Sequence, residues 1–409
     1  MAAYPSFFPK LNPLNLTAAM NASHFPFALP ISPRLSELDA LLRVFLSTVV
    51  SLAFVHTVVS RLPKKLPRLI ATLPIVYLFF FLPWQLSSIC FRTIAAFCLS
   101  WICNFKLLLF CFDSGPLLLH LHSLPHFVAF AALPVQVRLP ESRPSKDQKC
   151  AEQHHHQHSF SGMTVLRVAL GLSVMFLSLW ALSTDYAQRR QALAVPPLYT
   201  LLMFSVLYIY LAVGTIPVSL CLGVEIEPQF DRPYVSTSLG DFWGHRWNLI
   251  VTATLRPAVY WPVRSACLRL LGSLPARLVA TLATFLVSGL MHEMLLYCLT
   301  VEPPTWEWTG FFVLHGFLLT GELCLKRAVG PVALPRALKV ALTLSLLYAT
   351  AVWLFYPPVI RIGLNSKAIA EMRFALDGCG SCLSGYRSKA AVPASYHRLL
   401  IKTAQIVLC

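Results

Sequence analysis

Long apolar runs recur from one end of this sequence to the other, and nothing else in it narrows the possible folds as much. A hydrocarbon core of ~30 Å takes about 20 helical residues to cross. Runs of that order fall near residues 38–60, 69–83, 86–111, 162–183, 197–223, 274–300, 308–325 and 340–357. In lipid the backbone must satisfy its own hydrogen bonds, so such runs become helices. The pattern predicts an all-α, polytopic membrane protein with about eight transmembrane helices. The second run is short and holds Pro74 and Pro83, while residues 116–137 are apolar but broken by Pro125, Pro134 and three histidines. That interruption is the mark of an interfacial or re-entrant segment.

Composition agrees. Of the 409 residues 56% are hydrophobic and only 12% charged, about half the charge of a soluble domain. No stretch reads as a separate globular unit. The chain divides into a polar segment at 1–36, one multi-span membrane domain at 37–358, and a tail at 359–409 whose side of the membrane the loop charges leave open. Thirty-three Lys and Arg against 17 Asp and Glu give a net charge of +16. With the N-terminus lumenal, the loops at 61–68, 112–161, 224–273 and 326–339 face the cytosol and hold most of the loop cations, as the positive-inside rule requires. Asn15-Leu-Thr17 and Asn21-Ala-Ser23 are glycosylation sequons on the expected lumenal side. The basic residues are scattered among apolar segments and form no aromatic-interleaved patch, so nucleic acid is not an expected partner. Membrane lipid is.

Cysteine and histidine give no metal centre. Seven cysteines, Cys90, Cys98, Cys103, Cys111, Cys221, Cys298 and Cys324, lie in apolar runs where a thiol behaves as a small hydrophobe. Cys379 and Cys382 form a lone Cys-x-x-Cys without a second ligand pair. His154, His155, His156 and His158 sit in a long polar stretch, 138–159, that reads as a solvated loop.

Chemistry points instead to His292, inside the apolar span 280–300 in Val287-Ser-Gly-Leu-Met-His-Glu293. An ionisable side chain there is costly in lipid and turns toward protein or water. It either hydrogen-bonds structurally or takes part in a reaction. Ser288 and Gly289 precede it by four and three positions and share its helical face; small residues there admit a substrate chain or let a neighbouring helix approach. Glu293 faces elsewhere, as a polar group for helix packing or for orienting a neighbour. His315 and Glu322, seven apart, share one face of the next span. The densest mixture of aromatic, charged and amide side chains is Ser238-Leu-Gly-Asp-Phe-Trp-Gly-His-Arg-Trp-Asn248. Helical spacing would put Trp243 and Trp247 on one amphipathic face, with Arg246 and Arg256 free to meet phosphates; the alternative is interfacial anchoring with snorkelling arginines.

Taken together, Asp241-Phe-Trp-Gly-His-Arg-Trp-Asn248, Leu255-Arg-Pro257 with Tyr260 and Pro262-Val-Arg264, Ser288-Gly-Leu-Met-His-Glu293, Pro304-Thr-Trp-Glu307 and Phe312-Val-Leu-His-Gly316 resemble the plant wax synthase family. These are long-chain-alcohol O-fatty-acyltransferases of the membrane-bound O-acyltransferase superfamily. The dense match runs from Pro228 to Arg327, with Phe112-Asp-Ser-Gly-Pro-Leu117 upstream. A plant sterol acyltransferase resembles the same pattern, and the tail matches no part of it.

The resemblance implies an endoplasmic reticulum enzyme that esterifies a long-chain alcohol, or a sterol, with acyl-CoA as cosubstrate and no further cofactor. It puts the general base on His292 and its polar partner on Asn248. Substrate contacts fall to Asp241, Trp243, His245, Arg246, Trp247, Arg256, Ser288, Gly289 and His315, with Arg264 a third phosphate-binding candidate. His245 stands where family members often carry Arg. A lipid transporter or lipid-binding membrane protein is the reading from another class, and it predicts binding or flux without an ester product.

Overall fold

The computed structural model describes residues 37–137, 168–178, 181, 191–224, 226–330 and 334–361. The sequons, the histidines of 154–158 and the Cys379/Cys382 pair lie outside these. The described residues are helical throughout, apart from loops and a single antiparallel bridge between Val137 and Ile226. Seven helical segments among them are long and apolar enough to cross a membrane: 37–61, 66–85, 89–111, 196–222, 273–300, 307–329 and 336–361. Of the expected span at 162–183, helix Val168–Ser178 is described.

Helix α1, Glu37–Thr57, begins with Glu37 and Asp39 in its first turn, where carboxylates meet the positive end of the helix dipole. Glu37 also accepts from the backbone N–H groups of Ser87 and Ser88 at 3.0 and 3.1 Å, which ties α1 to the start of the third span. Helix α2 is Leu66–Phe81. Helix α3, Ile89–Cys111, is the most enclosed span: 78% of its apolar window is buried, against 39% or less for every other one. Exposed apolar side chains such as Phe45, Ile70, Leu220 and Trp353 stand on the outer faces of the bundle. Lipid covers such surfaces, which in water would drive aggregation.

The interrupted run at 116–137 forms a 3₁₀ turn at Pro116–His120 and one short helix in place of a spanning one. Helix α4, Leu124–Ala132, is nine residues and ~14 Å long, too short to cross. Its last carbonyls find a partner inside the bundle. Lys106 of α3, 1% exposed, donates its ammonium to the carbonyls of Phe130, Leu133 and Val135 at 2.5, 2.8 and 3.3 Å. A cation at the carbonyl end of a helix is placed well for the dipole, and all three of its protons are used. Downstream, the Gln229 amide donates to the Pro134 carbonyl at 2.9 Å, and so joins this segment to the loop that carries the aromatic motif.

The C-terminal half follows. Helix α5 is Val168–Ser178 and α6 Gln191–Leu222. Helix α7, Leu249–Leu255, runs through a wider π turn at Arg256–Tyr260 into α8, Trp261–Leu271. Gly272, at φ 79°, reverses the chain in a conformation that costs glycine nothing. Helix α9, Ser273–Thr300, then packs antiparallel to α10, Glu307–Val329, and α11 begins at Arg336. Gly289 and Gly316 permit the close approach of α9 and α10. A β-carbon on Gly289 would lie 3.0 Å from the Thr309 α-carbon, and one on Gly316 would lie 3.0 Å from the Phe285 β-carbon.

Two apolar cores result. One gathers α1 to α4 with Leu211 and Val218 of α6; the other gathers Tyr199, Phe285, Phe311, Phe312, Ala351 and Tyr356. Met291 and Leu295 of α9 lie against the first, and Phe285 of the same helix belongs to the second. His292 therefore stands on the seam between them.

Candidate active site

His292 is half-buried, and three aromatic rings surround it. Phe312 stacks on it with centroids 4.0 Å apart, while Trp101 and Trp308 meet it edge-on at 4.8 and 6.2 Å. Its Nδ1 lies 2.7 Å from the Ser288 carbonyl. A carbonyl only accepts, so Nδ1 carries the proton and Nε2 presents a lone pair. Nε2 bonds to no other group among the described residues. This is the state of an imidazole that can take a proton from something else.

His315 contrasts with it. It is wholly buried, its Nδ1 donates to the Phe311 carbonyl at 2.9 Å, and its Nε2 meets the Thr350 hydroxyl at 3.3 Å. Both nitrogens are engaged within the protein, so His315 joins α10 to α11. Glu293, 3% exposed, accepts from the backbone N–H groups of Trp306 and Thr309 at 2.7 and 3.1 Å. It satisfies free donors at the start of α10, as an N-capping side chain does. One turn of α9 thus holds the imidazole, the carbonyl that fixes its tautomer, and the cap of the next helix.

The aromatic motif does not form one helical face. Phe242–Arg246 is a single π turn, after which Trp247 is extended at φ −100°, ψ 125°, and this breaks the periodicity that would align Trp243 with Trp247. Trp243 enters the second core, 5.7 Å from both Phe285 and Phe312 and 5.5 Å from His315. Trp247 instead stacks on Phe242 at 5.2 Å and packs on Phe230. Asn248 follows in the left-handed region at φ 43°, ψ 64°, 8% exposed. Its Oδ1 is buried without a partner. No hydrogen bond joins it to His292, but the helix it opens, α7, packs with its π turn on α3 and α9, the two helices that carry Trp101 and His292.

Arg246 does not stand free for phosphate. Its Nε donates to Asp241 at 2.9 Å, and its Nη1 pairs with Asp231 at 3.6 Å. Burial would raise the Asp241 carboxyl, but the Thr237 N–H and the Arg246 guanidinium outweigh it and hold the carboxyl below its ordinary value. This pair is the internal brace of the motif. Arg256 is exposed, and Arg264 lies with its guanidinium 5.5 Å from the Trp261 ring. A cleft of about 450 Å³ opens nearby, lined among others by Asp241, His245, Tyr260, Arg277, Glu322 and Lys326. It lies at the Arg277 end of α9, and its lining includes neither His292 nor Asn248. Fifteen residues of helix, or ~22 Å, separate Arg277 from His292. Gly289 and Ser288 are both buried, and Gly289 faces the α10 backbone; its place on the helix serves packing.

Sequence reasoning passed over Trp101 and Trp308, which read as ordinary members of apolar runs. Both touch the imidazole only because α3 and α10 converge on α9.

A sequence model of the membrane bound O-acyl transferase family matches residues 226–314, the stretch from the aromatic motif through His292. Probable long-chain-alcohol O-fatty-acyltransferase 1 of Arabidopsis thaliana is 36% identical over 340 residues, covering 82% of this chain and 96% of the relative. The long-chain-alcohol O-fatty-acyltransferase of Simmondsia chinensis is 37% identical over 337 residues, 82% and 94% of the two chains. This chain belongs to the plant wax synthase family of the membrane-bound O-acyltransferases. Acyl-CoA--sterol O-acyltransferase 1 of Arabidopsis thaliana is also similar, 35% identical over 326 residues and 79% and 91% of the chains. A wax synthase family member must bring a lipid and a water-soluble thioester to one place, and His292 stands on the seam inside the family-matched segment with its Nδ1 fixed by the Ser288 carbonyl.

Proposed function

We propose that this chain transfers an acyl group from acyl-CoA to the hydroxyl of a long-chain alcohol, giving a wax ester, with His292 as general base. The observation that carries the reading is the pinned Nδ1 and unengaged Nε2 of a half-buried imidazole inside the family-matched segment. The alcohol oxygen adds to the thioester carbonyl carbon as its proton passes to Nε2. The carbonyl electron pair moves onto oxygen, where the Asn248 amide hydrogen-bonds it. Collapse reforms the carbonyl, breaks the carbon–sulfur bond and returns the proton to the departing thiolate, leaving ester and free CoA. The rings around His292 are apolar, and such surroundings hold little water, so the alcohol has little competition.

The cleft beside His245 and Arg277, where Lys326 is paired with Glu322 at 2.6 Å, would take the phosphate-bearing end of acyl-CoA, whose flexible thiol arm would reach inward from there; alcohol and acyl chain arrive from lipid. The expected compartment is the endoplasmic reticulum. Sterol is the second acceptor to weigh, because the sterol acyltransferase relative is as similar to this chain as the wax synthases. Expression in a host lacking neutral-lipid acyltransferases, with labelled acyl-CoA, a fatty alcohol and a sterol supplied together, tests the proposal. Labelled wax ester is the expected product. Sterol ester alone would move the acceptor assignment, and binding without any ester would return the chain to the transporter class.

A further inference from the structure

Two indoles flank His292, and they differ in one respect. The Trp308 N–H donates to the Phe355 carbonyl at 2.8 Å. The Trp101 ring is 0% exposed, and its N–H has no partner among the described residues. A buried donor left unpaired costs about 1–3 kcal/mol, so one beside a candidate general base calls for an acceptor. An indole N–H donates and cannot accept. With no acceptor among the described residues, the group that fits is an oxygen of a bound substrate.

The backbone around Trp101 is unusual as well. Ala96–Cys103 is an eight-residue π-helical stretch inside α3, and π turns are rare and favour functional sites. Its widened turn changes the register at which Trp101 emerges from the most enclosed span. Two other π stretches place rings in the same neighbourhood: Trp243 from Phe242–Arg246, 5.7 Å from Phe312, and Phe355 from Ala351–Phe355, stacked on Trp308 at 4.6 Å. Trp243 also has an unpaired N–H, but it reaches the imidazole only through Phe312. Trp101 touches the imidazole directly.

We infer that Trp101 is a catalytic residue whose indole N–H donates to the acyl carbonyl oxygen and holds the charge that forms there as the alcohol adds. The assignment rests on the acyl-transfer reading above. It gives the oxyanion two donors from different elements, Trp101 on α3 and Asn248 before α7, with α3 and the π turn that follows α7 both packed on α9. The Trp101 donor acts when charge develops on oxygen and contributes less to binding the uncharged thioester, so its loss lowers kcat more than it raises KM.

The test compares wild type, Trp101→Phe, Trp101→His and His292→Ala in membranes, with ester formation followed against acyl-CoA concentration. Trp101→Phe keeps an aromatic ring and removes the donor. It is expected to lower kcat on the order of 10²–10³-fold while KM for acyl-CoA stays within about twofold. Trp101→His, which retains a ring N–H, is expected to recover part of that loss. The infrared band of a ¹³C-carbonyl acyl-CoA bound to wild type is expected at lower frequency than in the Phe variant. If the Phe variant fails to accumulate, the same band in the His variant decides, and a free-carbonyl position there overturns the inference. Wild-type kcat in Trp101→Phe with an inactive His292→Ala overturns the Trp101 role alone. Full turnover in His292→Ala overturns the reading beneath it.

Discussion

Individual side chains divide into those whose hydrogen-bonding capacity the fold consumes and those it leaves open. His315, Trp308 and Glu293 are consumed, whereas His292 Nε2, the Trp101 N–H and the Asn248 amide oxygen have no partner among the described residues. Asn248 carries a second burden, because it occupies left-handed backbone, which costs most residues about 1–2 kcal/mol and glycine nothing. That separates its two roles. Asn248→Gly relieves the backbone and removes the amide, while Asn248→Ala strains the one and removes the other. If the amide acts on the oxyanion, both variants lose ester synthesis on the order of 10²–10³-fold, and the Gly variant keeps near wild-type thermal stability in detergent. A Gly variant with full activity would assign Asn248 to the turn alone. At this scale His292 was legible in the sequence because an ionisable group in an apolar span stands out. Trp101 was not, because an indole inside an apolar run looks like packing until a second helix lies beside it.

Elements placed the site where periodicity could not. The spacing of Trp243 and Trp247 suggested a shared face, and one π turn followed by an extended residue sent the rings into different clusters. Such turns leave no signature in hydropathy. Four stretches of this kind occur among the described residues, and three of them deliver rings around His292 or its aromatic neighbours. The α9–α10 pair was partly legible: Ser288 and Gly289 were read either as room for substrate or as a close helix contact, and 3.0 Å of clearance to Thr309 makes Gly289 the latter. Gly289→Ala should therefore push α10 away from α9 at the level of Phe312. It is expected to lower stability by about 1–3 kcal/mol, read as a lower unfolding midpoint, and to reduce activity through the displaced imidazole stack. Unchanged stability in this variant would mean that the helices yield without cost.

Across the whole molecule, Arg68, Lys106 and Glu293 are the Lys, Arg, Asp or Glu side chains buried among the described residues. Seven of the eight expected spans were readable from length and hydropathy alone, with the run at 162–183 described only as helix Val168–Ser178, and the short second run gained its missing length from residues 82–85, a 3₁₀ turn that continues α2. Lys106 lay hidden in the third run because one cation barely lowers the mean hydropathy of a long apolar segment. It holds three carbonyls of the segment around α4, which in turn packs on the π-helical stretch of α3 that carries Trp101. Lys106→Met keeps the volume and leaves those carbonyls unpaired, so a loss of about 1–3 kcal/mol is expected, together with faster proteolysis near residues 121–137. Stability equal to wild type would show the segment to be held by packing. The central claim is that the seam between the two cores is a place of acyl transfer and that His292 moves the proton there. Its most direct test is the rate of ester formation from acyl-CoA and a long-chain alcohol by purified, reconstituted wild type and His292→Ala at matched amounts. The account predicts a loss on the order of 10²–10⁴-fold in a variant that remains folded; turnover within about threefold of wild type would contradict it.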